Sequence, residues 1–493
     1  DGLVVVHGGS VDYKEYLELT PDPLPEEIAL KVQQTVGNIE GNIRRLAAAA
    51  AETFFVPNDA MVAIDFPTAP RFNQLHRQAI DTELGGLAAE LGVEIVVADF
   101  DTALGLLLTT PERFGFTNVT DPCLTSAAPT VPPYIAPGSI CADPDQYLFW
   151  DEHHMSSATH QFLAEFAADT LTAPQTVAAQ AALAAFAGDN FLRRMHAIAR
   201  NGGIAGPAGA TTAGPGPGKP YELFLTGETT QGAGDFGGGS LGFDYSIASL
   251  AGGITVHASE ATRLSLLGGY DRGSADVDGW DASVDLASYR IGALAGYDGG
   301  RLFGAAGLAY GFDDYDVVRQ TYVPELTSAA ETAGGTFGAF GTAGYRFEIG
   351  ALGIGPLSGL RYSRVRVDAY DESGAPGLDM HVKAQAADSL IGSAGLLASM
   401  RFAAAGAQIV SYASLSLEGE LLGGRSLTTA LVTVPNVERH LDIEPAGGGY
   451  GRFAGGVSVD IPAGLSLGVD GAATLGRPGG NEYSLLGRLS ARF

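Results

Sequence analysis

No stretch of this 493-residue sequence reaches the roughly 18 consecutive apolar residues of a membrane-crossing helix, which excludes a helical span. Basic residues are scarce as well: 28 Lys+Arg stand against 56 Asp+Glu, a net charge of −28. Such a surface repels phosphate, so no nucleic-acid partner is expected. Glycine is abundant at 69 residues but lacks a G-X-Y period, which rules out a collagen helix. There is no initiator Met, and no basic segment leading into an apolar core. The expectation is that a signal peptide has been removed or was never part of this sequence. Cysteine is limited to Cys123 and Cys141, flanking a Pro-rich loop. In an oxidising compartment they would form one disulfide, worth roughly 3 kcal/mol through loop closure; the alternative is two buried free thiols.

What is present is alternation. From Tyr483 to Phe493 the odd positions are Tyr483, Leu485, Gly487, Leu489, Ala491 and Phe493. The even positions are Ser484, Leu486, Arg488, Ser490 and Arg492. One face is apolar with an aromatic at each end, as in a lipid-facing strand of about ten residues between aromatic girdles. The pattern recurs back to Tyr221 and predicts twelve strands, starting near Tyr221, Leu241, Thr262, Ala282, Arg301, Gly335, Gly355, Ala387, Ile409, Gly448, Leu465 and Glu482. Turns such as Asp298-Gly299-Gly300 and Pro478-Gly479-Gly480 separate them. In lipid the sheet must close, because an open edge leaves backbone N–H and C=O groups unpaired. A soluble β-sandwich is the alternative, but it does not need outward Tyr, Leu and Val on the same face of every strand.

Residues before about Leu171 read differently. Leu3-Val4-Val5-Val6 predicts a buried parallel strand. Pro25 to Ala51 predicts a helix, with Ile28, Val32, Ile39, Ile43 and Leu46 on one face. Strands at Thr53–Val56 and Glu94–Ala98, and helices at Arg71–Leu91 and Ser156–Leu171, complete an α/β pattern with a parallel sheet. A chain opening inside a core strand raises the expectation that the front of this domain is missing. Pro174 to Asn201 is Ala-rich and carries Arg193, Arg194 and Arg200, which forbid lipid contact. It predicts a helix inside the pore, its arginines neutralising inward acids; an ordinary surface helix is the alternative. Residues 202–219 read as a Gly/Pro/Ala linker. The expected units are 1–173, 174–219 and 220–493.

Chemistry concentrates at Tyr147-Leu148-Phe149-Trp150-Asp151-Glu152-His153-His154. Asp151 and His154, three apart before a helix, can set a carboxylate against an imidazole nitrogen. The carboxylate then fixes the tautomer and steadies the imidazolium formed when His takes a proton from a nucleophile. A helix-capping Asp beside exposed histidines would show the same spacing.

The segments Gly359-Leu360-Arg361-Tyr362 and Asp368-Ala369-Tyr370-Asp371-Glu372-Ser373-Gly374, with the terminal Phe493, resemble the translocator of autotransporters. The resemblance runs from about Pro174 to Phe493. It implies a Gram-negative outer-membrane location, outer-membrane lipid and the barrel assembly machinery as partners, and a passenger at the cell surface. Residues 1–171 resemble the GDSL (SGNH) esterase/lipase family, a flavodoxin-like α/β fold. Asp151 and His154 match its Asp-x-x-His-Pro-Thr block, with Met155 and Ser156 in place of Pro and Thr. Gly8-Gly9-Ser10-Val11-Asp12-Tyr13 resembles its Gly-x-Asn-Asp block. Gly9 and Val11 then mark the oxyanion-hole region, with Val11 where the family has a donating Asn. Loss of one such donor costs about 10²–10³ in rate. The family's Gly-Asp-Ser-Leu block, source of its nucleophile, is not in this sequence.

No other serine fits. Gly238-Gly239-Ser240-Leu241-Gly242 and Gly464-Leu465-Ser466-Leu467-Gly468 match G-x-S-x-G, but both lie among barrel strands. Ser10 reads as a turn residue, and Ser156 and Ser157 as helix N-cap residues. Asp151, His153, His154 and His160 could be metal ligands, but nothing with ligand spacing supports them, so no metal is expected. Gly214 to Gly218 lacks the strand and helix of a phosphate loop. Two functions follow. One is a surface esterase or lipase of the GDSL type, acting on an ester or lipid substrate without cofactor. The other is a non-catalytic adhesive module on the same barrel.

Overall fold

The computed structural model describes residues 2–59, 68–125, 139–151, 154–201, 220–235, 240–404, 406–443, 447–461 and 464–493. The expected 202–219 linker and the Gly214–Gly218 run therefore lie outside the described residues.

Strands β1 (Leu3–Val5), β2 (Thr53–Pro57) and β3 (Glu94–Ala98) form a parallel sheet in that order. Helices α1 (Ser10–Leu19) and α2 (Pro25–Ala48) separate the first two strands, and α3 (Ala69–Leu91) precedes the third. Helix α2 buries Ile28, Val32, Val36, Ile39 and Ile43, the i, i+3/i+4 stripe of an amphipathic helix. The stripe packs on Phe54, Val56, Phe72, Ile80 and Leu84. Two expectations need correcting here. Ser10 is the first residue of α1, not a turn residue. The first strand is not buried on both faces: Val6 is buried, while Leu3 and Val5 are 46% and 61% exposed. As the edge strand of the described sheet, β1 turns one face to the helices and leaves the other open.

Helix α4 (Phe100–Thr109) follows β3 directly. The short strands β4 (Asn118–Pro122), β5 (Leu124–Thr125), β6 (Ser139–Ile140) and β7 (Tyr147–Phe149) surround the cysteine loop, and α5 (Ser157–Thr172) closes the α/β region.

Helix α6 (Ala178–Asn201) leads into the barrel. The first six barrel strands are β8 (Tyr221–Gly234), β9 (Phe243–His257), β10 (Thr262–Val277), β11 (Ala282–Asp298), β12 (Leu302–Gln320) and β13 (Thr327–Tyr345). A short β14 (Phe347–Ile349) precedes β15 (Leu352–Val367). After β16 (Tyr370–Asp371) and β17 (Met380–Val382) the wall continues with β18 (Gln385–Ala404) and β19 (Ala407–Leu422). After β20 (Arg425–Leu431) and β21 (Val434–Ile443) it ends with β22 (Gly449–Ile461), β23 (Leu465–Leu475) and β24 (Glu482–Arg492). Twelve antiparallel strands close when β24 pairs with β8. Backbone pairing is thus continuous around the wall, as lipid requires.

Outward residues form a lipid surface. Leu465, Leu467, Val469 and Leu475 are exposed, while Ser466, Asp470 and Thr474 point into the barrel and are buried. On β11, Tyr289 and Tyr297 bracket the apolar band. Eight residues at 3.4 Å, tilted by about 40°, give a band roughly 21 Å tall. Tyr270 and Tyr289 touch in the upper girdle; Tyr221 and Phe493 touch in the lower one. β11, β12 and β13 run to 17, 19 and 19 residues, well past the bilayer, and raise the wall on that side.

The lumen holds α6. Leu183, Phe191, Leu192 and Met195 are buried against the wall. A Cβ at Gly338 would come within 3.0 Å of Leu192, so glycine there admits the helix. Arg194 meets Glu228 at 3.1 Å and Asp271 at 3.1 Å; Arg193 meets Asp189 at 2.7 Å and Glu482 at 2.5 Å. Buried arginines are tolerated there because each has carboxylate partners.

Above the wall, β16, β17, β20 and β21 form a separate four-stranded sheet. It touches the α/β region closely. Val434 and Val437 join the α2/α3 core, and Val323, Leu326, Ala375 and Leu378 join a second core with α4 and α5. Arg439 pairs with Glu94 at 2.8 Å, and Asn436 Nδ2 donates to Asp81 at 2.6 Å. Arg319 spans the seam, pairing with Asp169 at 2.7 Å and Glu372 at 2.8 Å.

Candidate active site

The parallel strands end on one edge, where loops of α/β sheets bind ligands. His7 follows β1, Asn58 and Asp59 follow β2, and Asp99 follows β3. Asn58 Nδ2 donates to Asp99 Oδ1 at 3.0 Å, and Asp99 caps α4 by accepting from Thr102 N at 3.2 Å. His7 Nε2 meets Asp59 at 3.1 Å, and that hydrogen bond raises the imidazole above its ordinary value. His76 is fully buried; its Nδ1 bonds Tyr13 OH at 2.8 Å, and burial lowers its imidazole to about 4. Gly9, at φ 123°, sits against His76 in a backbone conformation that glycine adopts freely.

Asp151 and His154 meet beyond β7. His154 Nδ1 lies 2.9 Å from each Asp151 carboxylate oxygen, and His154 N donates to Asp151 Oδ1 at 2.7 Å. The turn that makes this geometry is tight: Trp150 N donates to His154 O at 2.8 Å, and Phe149 bridges Met155. Ser156 then caps α5 through Thr159 N at 3.2 Å and donates its own N–H to Leu148 O at 2.9 Å. With Nδ1 held by the carboxylate, Nε2 of His154 points outward on a side chain that is 60% exposed. An imidazole so held can take a proton at Nε2 while the carboxylate stabilises the resulting charge.

Gly9 and Val11 stand on another element, at the start of α1, with Val11 64% exposed. Among the described residues no hydrogen bond or ion pair links them to His154. Cys123 and Cys141 are joined by a disulfide. Ser466 faces the barrel interior, and Ser240 precedes β9 at the barrel top; neither has a strand–turn–helix setting. His153 lies outside the described residues, and among those described no three ligand-type side chains cluster for a metal. Sequence reasoning missed the His7–Asp59 and His76–Tyr13 pairs. The available signal was positional: His7 and Asp59 each fall two residues after the end of a parallel strand.

Comparison with known proteins completes the picture. The profile described as "Autotransporter beta-domain" matches residues 223–472, and that described as "GDSL-like Lipase/Acylhydrolase" matches residues 1–167. An uncharacterized protein in the trpE-trpG intergenic region of Pseudomonas putida is 27% identical over 326 residues, covering 62% of this chain and 52% of that protein. Esterase EstA of Pseudomonas aeruginosa is 23% identical over 323 residues, covering 63% of this chain and 48% of that protein. The chain thus spans about half the length of these curated relatives. The translocator domain of NalP from Neisseria meningitidis superposes with a TM-score of 0.49 at 17% identity, over 64% of this chain and 98% of that one; these values are too low to add weight to the strand pairing. The autotransporter profile spans more than half of the sequence, over a closed twelve-stranded barrel with a helix in its lumen. The chain belongs to the autotransporter family, its barrel seated in a Gram-negative outer membrane and its GDSL-type N-terminal region carried as a passenger at the cell surface.

Proposed function

We propose that the passenger, residues 1–173, is a carboxylic ester hydrolase in which Asp151 and His154 are the acid–base pair. Residues 174–219 are then the pore helix and linker, and 220–493 the translocator. The observation that carries the reading is the Asp151 carboxylate on His154 Nδ1, with Nε2 left free for a hydroxyl. In this reading His154 takes the proton of a serine as that serine attacks the ester carbonyl, and returns it to the leaving alcohol. Water then cleaves the acyl-enzyme by the same route in reverse. The serine is that of the family's first block, which residues 1–493 do not contain. Gly9 and the backbone around Val11 belong to the oxyanion region, with one side-chain donor fewer than the family has. The substrate is a carboxylic ester or lipid, the barrel's solvent is outer-membrane lipid, and its insertion depends on the barrel assembly machinery.

The test is hydrolysis of p-nitrophenyl butyrate by the chain as it stands, and by the chain extended at its N-terminus with the family's Gly-Asp-Ser segment. Background rate in the first and turnover in the second, lost in His154→Ala, are expected. Turnover that ignores His154→Ala would overturn the assignment. A non-catalytic adhesive passenger is the second reading, and Val11, whose side chain cannot donate where the family has Asn, favours it.

A further inference from the structure

The outer wall of the barrel is uneven. Across β12, β13, β15, β18 and β19 two neighbouring hydrogen-bonded rows run around it. One row is Ala306–Gly341–Leu360–Gly392–Gly419; the next is Gly304–Ala343–Ser358–Ala394–Leu417. Most of these residues are small where the rest of the belt carries Leu, Val or Tyr. The small residues of the two rows, Gly304 apart, floor an open depression of about 840 Å³ on the lipid side, walled by Leu417 and Leu421, which are 72% and 61% exposed. A depression of this kind admits acyl chains, which a smooth belt of large side chains holds off.

Above the β15 part of the depression the rim is basic, unlike the rim over β10 to β13, whose last two strands also border the depression. On β15 the outward positions climbing from Leu360 are Tyr362, Arg364 and Arg366. Tyr362 meets Phe337 at 6.3 Å, which marks the upper girdle. Arg364 and Arg366 lie two and four residues higher, roughly 5 and 10 Å up a tilted strand, at headgroup level. Arg364 is half exposed and only loosely paired with Asp388, at 3.9 Å, whose carboxylate also accepts from Tyr362 OH at 2.5 Å. Arg366 is exposed and has no ion-pair partner among the described residues. Asp368 follows and bounds the basic stretch. On β10 to β13 the outward rim is acidic, with Asp276, Asp285, Asp314, Asp316 and Glu331, and one cation, Arg272. Asp285, Asp316 and Glu331 face one another directly across the strands. Phosphate is repelled there and drawn to β15.

We propose that this face is a binding site for a phosphorylated, multiply acylated lipid of the outer leaflet, with its acyl chains in the depression and its phosphate on Arg364 and Arg366. The site lies on the lipid side of the wall and is independent of the passenger's chemistry.

The experiment is native mass spectrometry of the full chain in detergent, titrated with lipid A, dephosphorylated lipid A, phosphatidylethanolamine and inorganic phosphate. Two variants accompany it. Arg364→Ser/Arg366→Ser removes the headgroup contacts. Gly341→Phe fills the depression from a position where a Cβ meets nothing within 4 Å. Folding of each is checked by heat-modifiable electrophoresis. Lipid A is expected to bind in preference to the other three. Loss of two cations at an anionic headgroup predicts roughly a 10- to 30-fold weakening in the double variant. Gly341→Phe should weaken both lipid A forms. Equal retention of lipid A by wild type and both folded variants would overturn the proposal. So would equal binding of lipid A and its dephosphorylated form. Displacement of lipid A by millimolar inorganic phosphate would show a simple anion site and also overturn it.

Discussion

Replacing Arg319 by methionine removes one guanidinium from the seam between passenger and barrel loops. Arg319 is 1% exposed at its side chain and bonds Asp169 at 2.7 Å, Glu372 at 2.8 Å and Leu378 O at 3.0 Å. Its two carboxylate partners are 0% and 2% exposed, so neither can turn to water when it goes. Breaking a buried pair by removing one member costs about 3–5 kcal/mol, because the remaining charge is left uncompensated. Asp169 adds a pH signature. Burial already raises its carboxyl above the ordinary value, against the opposing pull of Arg319. Without Arg319 the folded-state value rises further. A carboxyl raised on folding favours the folded state at low pH, and that favour is lost as pH climbs from the unfolded value through the folded one. Arg319→Met should therefore be least damaging near pH 5 and most damaging near pH 8. Urea titration of the full chain in detergent, followed by the helical circular dichroism of the passenger at both pH values, reads this out. A deficit under 1 kcal/mol, or one equal at the two pH values, would refute the reasoning.

Other consequences are as specific. Arg194→Leu removes the ion-pair partner of Glu228 inside the barrel and leaves Asp271 with Arg290 alone, at 2.5 Å; it should cost about 3 kcal/mol, seen as less heat-modifiable folded barrel in membranes. Cys123→Ser/Cys141→Ser opens a loop of sequence separation 18 and should destabilise the passenger by about 3 kcal/mol in urea. His76, held down to about 4 by burial, favours the folded state above the ordinary histidine value. Passenger stability should fall by roughly 3 kcal/mol as pH drops from 6.5 to 4. His76→Gln should flatten that slope, measured in a His7→Asn background because the raised His7 contributes with the opposite sign. Arg439→Ala removes the Glu94 pair and the bonds to Thr170 O and Leu171 O, and should raise protease cleavage at the seam.

The barrel was legible because lipid outside and charge inside force a period of two on every strand. Tyr289 against Ser288, and Leu467 against Ser466, carry that signal locally. Pore helix α6 was legible for a related reason: Arg193 and Arg194 cannot face lipid. The seam was not legible. Val434 and Val437 pack with residues such as Ile80 and Leu84, some 350 positions away, and no local pattern encodes that. Helices α1 and α4 escaped notice because each has only 10 residues and shows few periods of its pattern. At the candidate site, Asp151 and His154 are three residues apart and could be read directly. His7 and Asp59 are 52 apart in sequence and meet only because β1 and β2 pair in parallel.

The strands from Tyr221 to Arg492 form a lipid-bounded cylinder around α6. A cysteine scan along β23, one position at a time, labelled with a polarity-sensitive dye in bilayers holding a lipid-soluble quencher, tests this directly. Labels at Leu465, Leu467 and Val469 should be quenched, while those at Ser466, Gly468 and Asp470 should not. Uniform quenching, or none at any position, would contradict it.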